Sequence, residues 1–302
     1  MNGLKAILTY VIFATILTAC NNDDTIDDSE DHSLPENIAN DFFARYPDAI
    51  IDHFYLQRTE SEATEITFTD KNGLSNLAVY QNDDWLSNRK EINIEADYDL
   101  IPQEVYDAYA QSGVKGYSHY EFIFEDSKIG FEQKQYQFIF CGPYDYGMGI
   151  VENYYNNIII LEDGTLLSYN DYHMGSPIIW PYDHRPFKQL AQDKYPDAKV
   201  IGSTFDGTNM TIFINENGTI KHVIICPKSN YKEMTWIKTW YPLDINTELP
   251  DFAIANKKEY EAQHPEAALT SIKYEEDNSG KYYGMTFHLT KDYGEVIYSE
   301  IK

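Results

Sequence analysis

The sequence predicts an α+β fold made of tandem repeats, each one helix followed by three to four antiparallel strands, with the repeats paired into two lobes. Two observations carry this. A proline-led amphipathic helix opens four successive stretches of the 302-residue chain, at Leu34-Pro35, Ile101-Pro102, Arg185-Pro186 and Leu249-Pro250. After each helix the spacing of apolar residues changes from near four to two, the mark of a sheet with one face buried and one wet.

The first helix carries Ile38, Phe42 and Tyr46 on one stripe, with Ala39 and Phe43 beside them, and is closed at Tyr46-Pro47-Asp48-Ala49. Proline costs nothing at a helix start, where the amides lack partners anyway, and a second proline stops the helix. Strand residues Ile66 and Phe68 then alternate with Glu65, Thr67 and Thr69 up to an Asn72-Gly73 turn. Val105, Ala108 and Tyr109 repeat the helical stripe without a closing proline; Tyr136, Phe138 and Phe140 alternate with Gln135 and Gln137, and Asp163-Gly164 makes a turn. The third helix uses Phe187, Leu190, Ala191 and Tyr195, closes at Tyr195-Pro196-Asp197-Ala198 and leads to an Asn217-Gly218 turn. A fourth, from Asp251 to about Gln263, has a weaker stripe, ends at His264-Pro265-Glu266-Ala267 and precedes Met285, Phe287 and Leu289, with a turn expected at Gly294. Asx-Gly pairs supply the positive φ values that tight hairpins need. The expected lobes are residues 34–184, with repeats 34–98 and 99–184, and residues 185–302, with repeats 185–247 and 248–302.

Residues 1–20 read as an address. Lys5 gives a positive start, Ala6 to Ile16 an apolar run too short to stop in a bilayer, and Leu17-Thr18-Ala19-Cys20 a small-residue cleavage site. That tetrapeptide resembles a lipobox, which implies cleavage before Cys20 and acyl chains on that cysteine. Residues 21–33, with Asp23, Asp24, Asp27, Asp28, Glu30 and Asp31, predict an acidic disordered tether. The expected location is therefore the bacterial outer membrane, reached through the lipid anchor alone, facing the periplasm or the cell surface. A formal charge of −26 argues against nucleic acid and anionic headgroups, and a cationic partner or simple solubility fits it better.

Cys141 and Cys226 each end an apolar strand just before a proline. They allow either one disulfide or two separate thiols packed as small apolar groups.

The proline-led helices, the Tyr-Pro-Asp-Ala junction and the strands around Asx-Gly turns resemble the PepSY-like domains of exported bacterial proteins, similar in fold to β-lactamase inhibitor protein (BLIP). The resemblance spans about residues 34–302 and is strongest in the first and third repeats. It implies paired helix-plus-sheet repeats with a concave face, and it carries over no inhibitor residue.

Sequence chemistry points away from catalysis. There is no Gly-x-Ser-x-Gly elbow, no His-Glu-x-x-His pair, no phosphate loop and no Cys/His ligand set, so neither metal nor other cofactor is expected. Asp171, His173 and Ser176, followed by Asp183 and His184, form a polar constellation read as a surface loop, with hydrolysis a weak alternative. The excess of 26 Tyr is more informative. Tyr144, Tyr146, Tyr154 and Tyr155 fall in a stretch read as a long glycine-rich loop interrupting the second repeat, and Tyr172, Trp180 and Tyr182 follow. Rings with polar tips suit interface hot spots and sugar platforms. The expected function is a non-enzymatic, lipid-anchored binding module for an envelope or secreted protein, with glycan binding the alternative. Trp236 and Trp240 are expected in core or inter-repeat packing, on one face of a helix or strand.

Overall fold

A computed structural model describes residues 33–56, 63–93, 98–112, 122–145, 151–174, 183–206, 208–228, 233–288 and 294–300, with the backbone alone at 98, 140–145, 151–156, 169–174, 288 and 294–300. The element order is helix then four strands, three times, and finally helix then three strands. In chain order these are α1 (Glu36–Arg45) with β1 (Ile50–Leu56), β2 (Ala63–Thr69), β3 (Ser75–Gln81) and β4 (Asp84–Ile92); then α2 (Gln103–Gln111) with β5 (Phe122–Lys128), β6 (Gln135–Asp145), β7 (Val151–Leu161) and β8 (Leu166–Met174). They continue with α3 (Arg185–Lys194) and β9 (Lys199–Phe205), β10 (Met210–Glu216), β11 (Thr219–Pro227) and β12 (Met234–Leu243), and end with α4 (Asp251–Gln263), β13 (Ala268–Asp277), β14 (Lys281–His288) and β15 (Gly294–Glu300). Neighbouring strands pair antiparallel throughout: β1 to β8 form one sheet in sequence order, and β9 to β15 a second. The fold is therefore α+β.

Two compact units divide the chain between Tyr182 and Asp183, except that the tip of the β5–β6 hairpin, Ile129–Gln133, groups with the second. In that unit Lys188 donates to the Gly130 carbonyl and lies over the Phe131 ring, and Lys199 pairs with Glu132 at 2.8 Å.

The helix starts follow from proline. Pro35, Pro102 and Pro250 occupy the cap positions of α1, α2 and α4, and Pro186 lies in the first turn of α3. Three ends share one conformation. Tyr46, Tyr195 and His264 have φ near −130° and ψ near 70°, and each donates its amide to the carbonyl four residues back. Ala49, Ala198 and Ala267 then return their amides to those cap carbonyls at 3.0–3.1 Å. Five residues beyond each junction proline the new strand bulges, at Asp52, Ile201 and Thr270, where one residue is skipped in the ladder.

Each helix buries its stripe on one face of its sheet. Ile38 and Phe42 of α1 pack on Ile66, Phe68, Ala78 and Tyr80. Val105 of α2 packs on Ile123, Phe138, Ile158 and Ile160, with Tyr109 stacked on Phe138 at 4.6 Å. Tyr260 and Ala253 of α4 pack on Ile272, Met285 and Phe287.

Hairpin chemistry is partly as expected. Gly73, Gly164 and Gly218 have positive φ, but so do Asn82 and Asp83, a turn without glycine. Gly294 begins β15 and pairs with His288. At Gly164, φ is +84° and an added Cβ would lie 2.8 Å from the Glu104 carbonyl oxygen in α2. Gly164→Ala is therefore expected to cost about 2 kcal/mol, from strain and from helix displacement. Urea unfolding by circular dichroism measures it; an unshifted midpoint would show that the turn and α2 can separate freely.

The expectation of one wet face fails in the first sheet. Opposite the helices lie Val79, Ile139, Ile159 and Leu161, but also Glu65, Arg89, Asp126, Gln135, Gln137 and Asn157, every one below 9% exposed. Part of this set is satisfied internally. Arg89 grips Asp126 through two bonds of 2.7 Å and donates to Gln137, and Lys128 donates to Gln135 at 2.9 Å. Gln135 Nε2 and Asn157 Oδ1 have no hydrogen-bond partner among the described residues.

Candidate functional site

Several residues singled out from sequence lie outside the described residues: Cys20, Tyr146, Ser176, Trp180 and Tyr182. The long loop expected around Tyr144 to Tyr155 is corrected. Residues 135–145 and 151–161 are continuous strands, with Tyr144 opposite Glu152, Gly142 opposite Tyr154 and Cys141 opposite Tyr155. Tyr155 is in turn opposite His173, and Asn156 opposite Tyr172, so Asp171, Tyr172 and His173 sit on β8 and not in a loop. Runs of Tyr, Val and Phe favour the extended chain strongly enough to carry the glycines with them. Of the two cysteines expected either as one disulfide or as separate thiols, Cys226 is a free, half-buried thiol with Sγ 3.5 Å from the Pro227 carbonyl, and the Cys141 side chain lies outside the described residues.

The weak hydrolase reading finds one pair. His184 Nδ1 and Ser203 Oγ are 3.1 Å apart, and the imidazole meets the Phe131 ring edge-on. Ser203 has no exposed surface, however, and the Asp183 carboxylate is taken by Arg185. A nucleophile needs access for a carbonyl, which the fully buried Ser203 does not offer. Among the described residues no three metal-ligating side chains converge.

Structure instead brings together groups that sequence left apart. Arg45 and Lys194, each just before a junction tyrosine, lie over Trp85 and Trp236, at 4.8 and 3.5 Å from the ring centroids. Both tryptophans immediately precede a bulge, at Leu86 on β4 and Ile237 on β12. A single extra residue reverses the face of what precedes it, so each ring turns toward its helix. Trp236 and Trp240 consequently part company, against the even spacing that puts them together: Trp240 stacks on His222 at 3.8 Å, and Phe213 meets His222 edge-on.

In the first unit Trp85 Nε1 donates to the Tyr46 hydroxyl at 3.1 Å, while Asp41 accepts from Arg45 at 2.6 Å and from Tyr80 at 2.9 Å. The Arg45 hydrogen bond, assisted by Tyr80, holds the Asp41 carboxyl below its ordinary 3.8 despite partial desolvation. A folded pKa below the unfolded one adds stability above the unfolded value and loses it as pH falls through the folded value. Wild type is therefore expected to lose more stability than Asp41→Asn between about pH 4 and pH 2. Parallel urea midpoints across that range would refute the linkage.

In the second unit the same position holds a different set of partners. Trp236 Nε1 donates to Thr239 Oγ1 at 2.9 Å, Thr239 bonds the Tyr195 hydroxyl, and that hydroxyl donates to Glu276, which also pairs with Lys194 at 3.8 Å. Beside this chain, Tyr241, Tyr274 and Tyr283 stand opposite one another across β12, β13 and β14. They lie two residues from the Leu243, Ile272 and Met285 row that packs beneath α4, hence on the helix-bearing face. Lys221, paired with Glu216, lies 5.1 Å from the Tyr195 ring centroid and 5.3 Å from that of Tyr241. Tyr241 and Tyr274 stack at 5.0 Å, and Tyr283 meets Tyr274 edge-on at 5.9 Å. All three are half-buried, and none of their hydroxyls bonds a side chain or backbone group among the described residues. Burial, reinforced by Glu276 and the neighbouring phenols, pushes Tyr274 up to about 12, so its hydroxyl stays a neutral donor and acceptor. The corresponding row of the first unit is Lys90, Glu125 and Tyr136, closed by internal ion pairs of 3.0 and 3.3 Å to Glu125.

Solved structures similar to the chain include a BLIP-like protein and two further Bacteroides proteins. A BLIP-like protein from Bacteroides fragilis is 16% identical, with a match covering 52% of this chain and 99% of that one at a TM-score of 0.40. A DUF2874 family protein from Bacteroides uniformis is 16% identical over 45% of this chain and 88% of its own, at 0.34. A candidate periplasmic protein from Bacteroides eggerthii is 14% identical over 47% and 91%, also at 0.34. No family model matches the chain, and a search of curated proteins found no match. No helix among the described residues is long and apolar enough to cross a membrane.

Proposed function

We propose that this chain is a non-enzymatic binding module of the bacterial envelope, anchored by acyl chains on Cys20, that engages a protein partner through the tyrosine row of β12, β13 and β14. The partner is an envelope or secreted enzyme whose activity changes on binding. One observation carries the reading: three adjacent half-buried tyrosines whose hydroxyls have no partner among the described residues. Such rings contribute apolar area at low entropic cost and a polar tip for hydrogen bonds, the properties of interface hot spots.

A sugar platform needs exposed ring faces. Here Tyr241 and Tyr274 cover one another's faces, and Trp240 is stacked on His222 with Lys273 Nζ 5.9 Å from its centroid. That favours protein over glycan.

The test is capture from envelope extract on the immobilised full-length protein. It compares wild type with a Tyr241→Ala/Tyr274→Ala/Tyr283→Ala variant, and with a second in which Tyr144, Tyr146, Tyr154 and Tyr155 are changed to alanine. Loss of one saturable, stoichiometric partner in the first variant and its retention in the second is the expected result. Equal capture by all three proteins would remove the tyrosine row from the proposal, and loss only in the second would move the site to the β6–β7 hairpin.

A further inference from the structure

We infer that β1 is a self-association edge, which pairs antiparallel with β1 of a second copy of this chain about a dyad at the Asp52–His53 bond. This edge lies in the first unit and the tyrosine row in the second, so either can fail without the other.

β1 ends the first sheet and pairs only with β2 among the described residues. An end strand turns backbone groups away from its neighbour and is a template for another strand unless the chain blunts it. The equivalent end strand of the second sheet, β9, is blunted. Val200, Gly202, Ser203 and Thr204 are buried, and Lys199, the residue after the Tyr-Pro-Asp-Ala junction, is held by Glu132 at the tip of the β5–β6 hairpin. In β1 the residue after the junction is Ile50, 69% exposed, and Asp52, His53 and Tyr55 are exposed as well. Neither lysine nor proline interrupts the strand.

A bulge often spoils an edge for pairing, but the one at Asp52 makes this strand self-complementary. Under strict alternation Ile50 and Tyr55 would take opposite faces, and so would Ile51 and Phe54. With Asp52 skipped, Ile50, His53 and Tyr55 stand opposite Thr69, Thr67 and Glu65, alternate residues of β2 and hence one face. Asp52 joins that face by accepting from the Thr69 hydroxyl at 3.0 Å. Ile51 and Phe54 both pack toward α1 on the other face. The order of faces over residues 50–55 is therefore the same from either end. A regular strand would put such a dyad on a residue, and the skipped residue moves it to a bond. Turned about that bond, a second β1 sets Ile50 against Tyr55, Ile51 against Phe54 and Asp52 against His53, each pair on a common face.

The pairs match chemically. Ile50 against Tyr55 is an aliphatic–aromatic cross-strand pair, made twice in the dimer. The His53 imidazole has an N–H to donate in either protonation state, and the Thr69 hydroxyl takes only one oxygen of the Asp52 carboxylate. The charge of −26 on each copy opposes approach, yet fields beyond about 8 Å are largely screened at about 0.15 M salt. One strand a side is a small contact, so the dimer is weak and concentration-dependent.

Sedimentation equilibrium of the full-length protein in density-matched detergent tests this. A concentration-dependent dimer is expected for wild type, weakened about tenfold or more by Ile50→Lys and by Tyr55→Lys, since an edge lysine blocks pairing. Ile245→Lys, at an exposed apolar residue of the second unit, should leave the association unchanged. Register is read by mixing Ile50→Cys protein with Tyr55→Cys protein under mild oxidation, where disulfide-linked dimer should rise above the level in either variant alone. Circular dichroism and melting separate lost pairing from lost fold, and the cysteine mixture keeps the test alive if a lysine variant unfolds. A wild type that is monomeric at every concentration, a dimer indifferent to both β1 lysines, or cross-linking no greater in the mixture than in its components would overturn the pairing.

Discussion

An Asp126→Ala variant is expected to lose about 3–5 kcal/mol of stability, because it removes one half of a buried ion pair and leaves the other half charged in place. Side-chain exposure is 9% for Arg89 and 3% for Asp126, and the guanidinium holds both carboxylate oxygens at 2.7 Å. Its carbon also lies 4.6 Å from the Phe124 ring centroid, so it has no room to swing into water with its partner gone. Lys128, 3.9 Å from the same carboxylate, shares the loss. Burial already pushes its ammonium down to about 8, the Arg89 charge pushes the same way, and Asp126 is the group that opposes both. Urea unfolding reads the effect. Arg89→Met/Asp126→Leu should recover much of it, since an apolar pair of similar volume leaves neither partner unmatched. A single variant as stable as wild type, or a double variant no better than the single, would show that the pair is not desolvated in solution.

Phe42→Ala is expected to cost about 3–5 kcal/mol, the usual penalty for emptying a fully enclosed aromatic site. Phe42 has no exposed surface, and its ring lies 5.0 Å from Phe68 and 5.2 Å from Tyr46, within the cluster that seats α1 on its sheet. Its neighbour Phe43 is 46% exposed, and Phe43→Ala should stay within about 0.5 kcal/mol. Comparable losses from the two would mean that α1 is seated differently.

Much of the architecture is legible because its signals are local. Proline fixes a helix start within one residue, and the Tyr-Pro-Asp-Ala junction adopts one geometry at Tyr46 and Tyr195, with His264 following it on a looser sequence. The weak stripe of the fourth helix did not prevent it from forming, since Ala253 and Tyr260 suffice once a sheet lies beneath them. The candidate site is far less legible. Tyr241, Tyr274 and Tyr283 are spread over more than forty residues, and each looks like ordinary strand alternation until the ladder sets them side by side. A usable signal did exist in the repetition of a basic residue before the junction tyrosine and a tryptophan near the start of the fourth strand, but nothing in the chain announces the bulge that joins them.

The amino-acid sequence by itself determined the class of this protein, where its helices start, and the shape of its helix-to-strand junctions, because proline dihedrals, turn residues and apolar period act within a few residues. Only the tertiary structure decided which faces those residues occupy. One skipped residue at Leu86 or Ile237 turns a tryptophan from one side of a sheet to the other, and charges such as Arg89 and Asp126 become interior only when strands distant in sequence bring their partners to within 2.7 Å. The tyrosine row of the second unit is a product of that same long-range register, which is why it was invisible in a sequence whose most conspicuous tyrosines lay elsewhere.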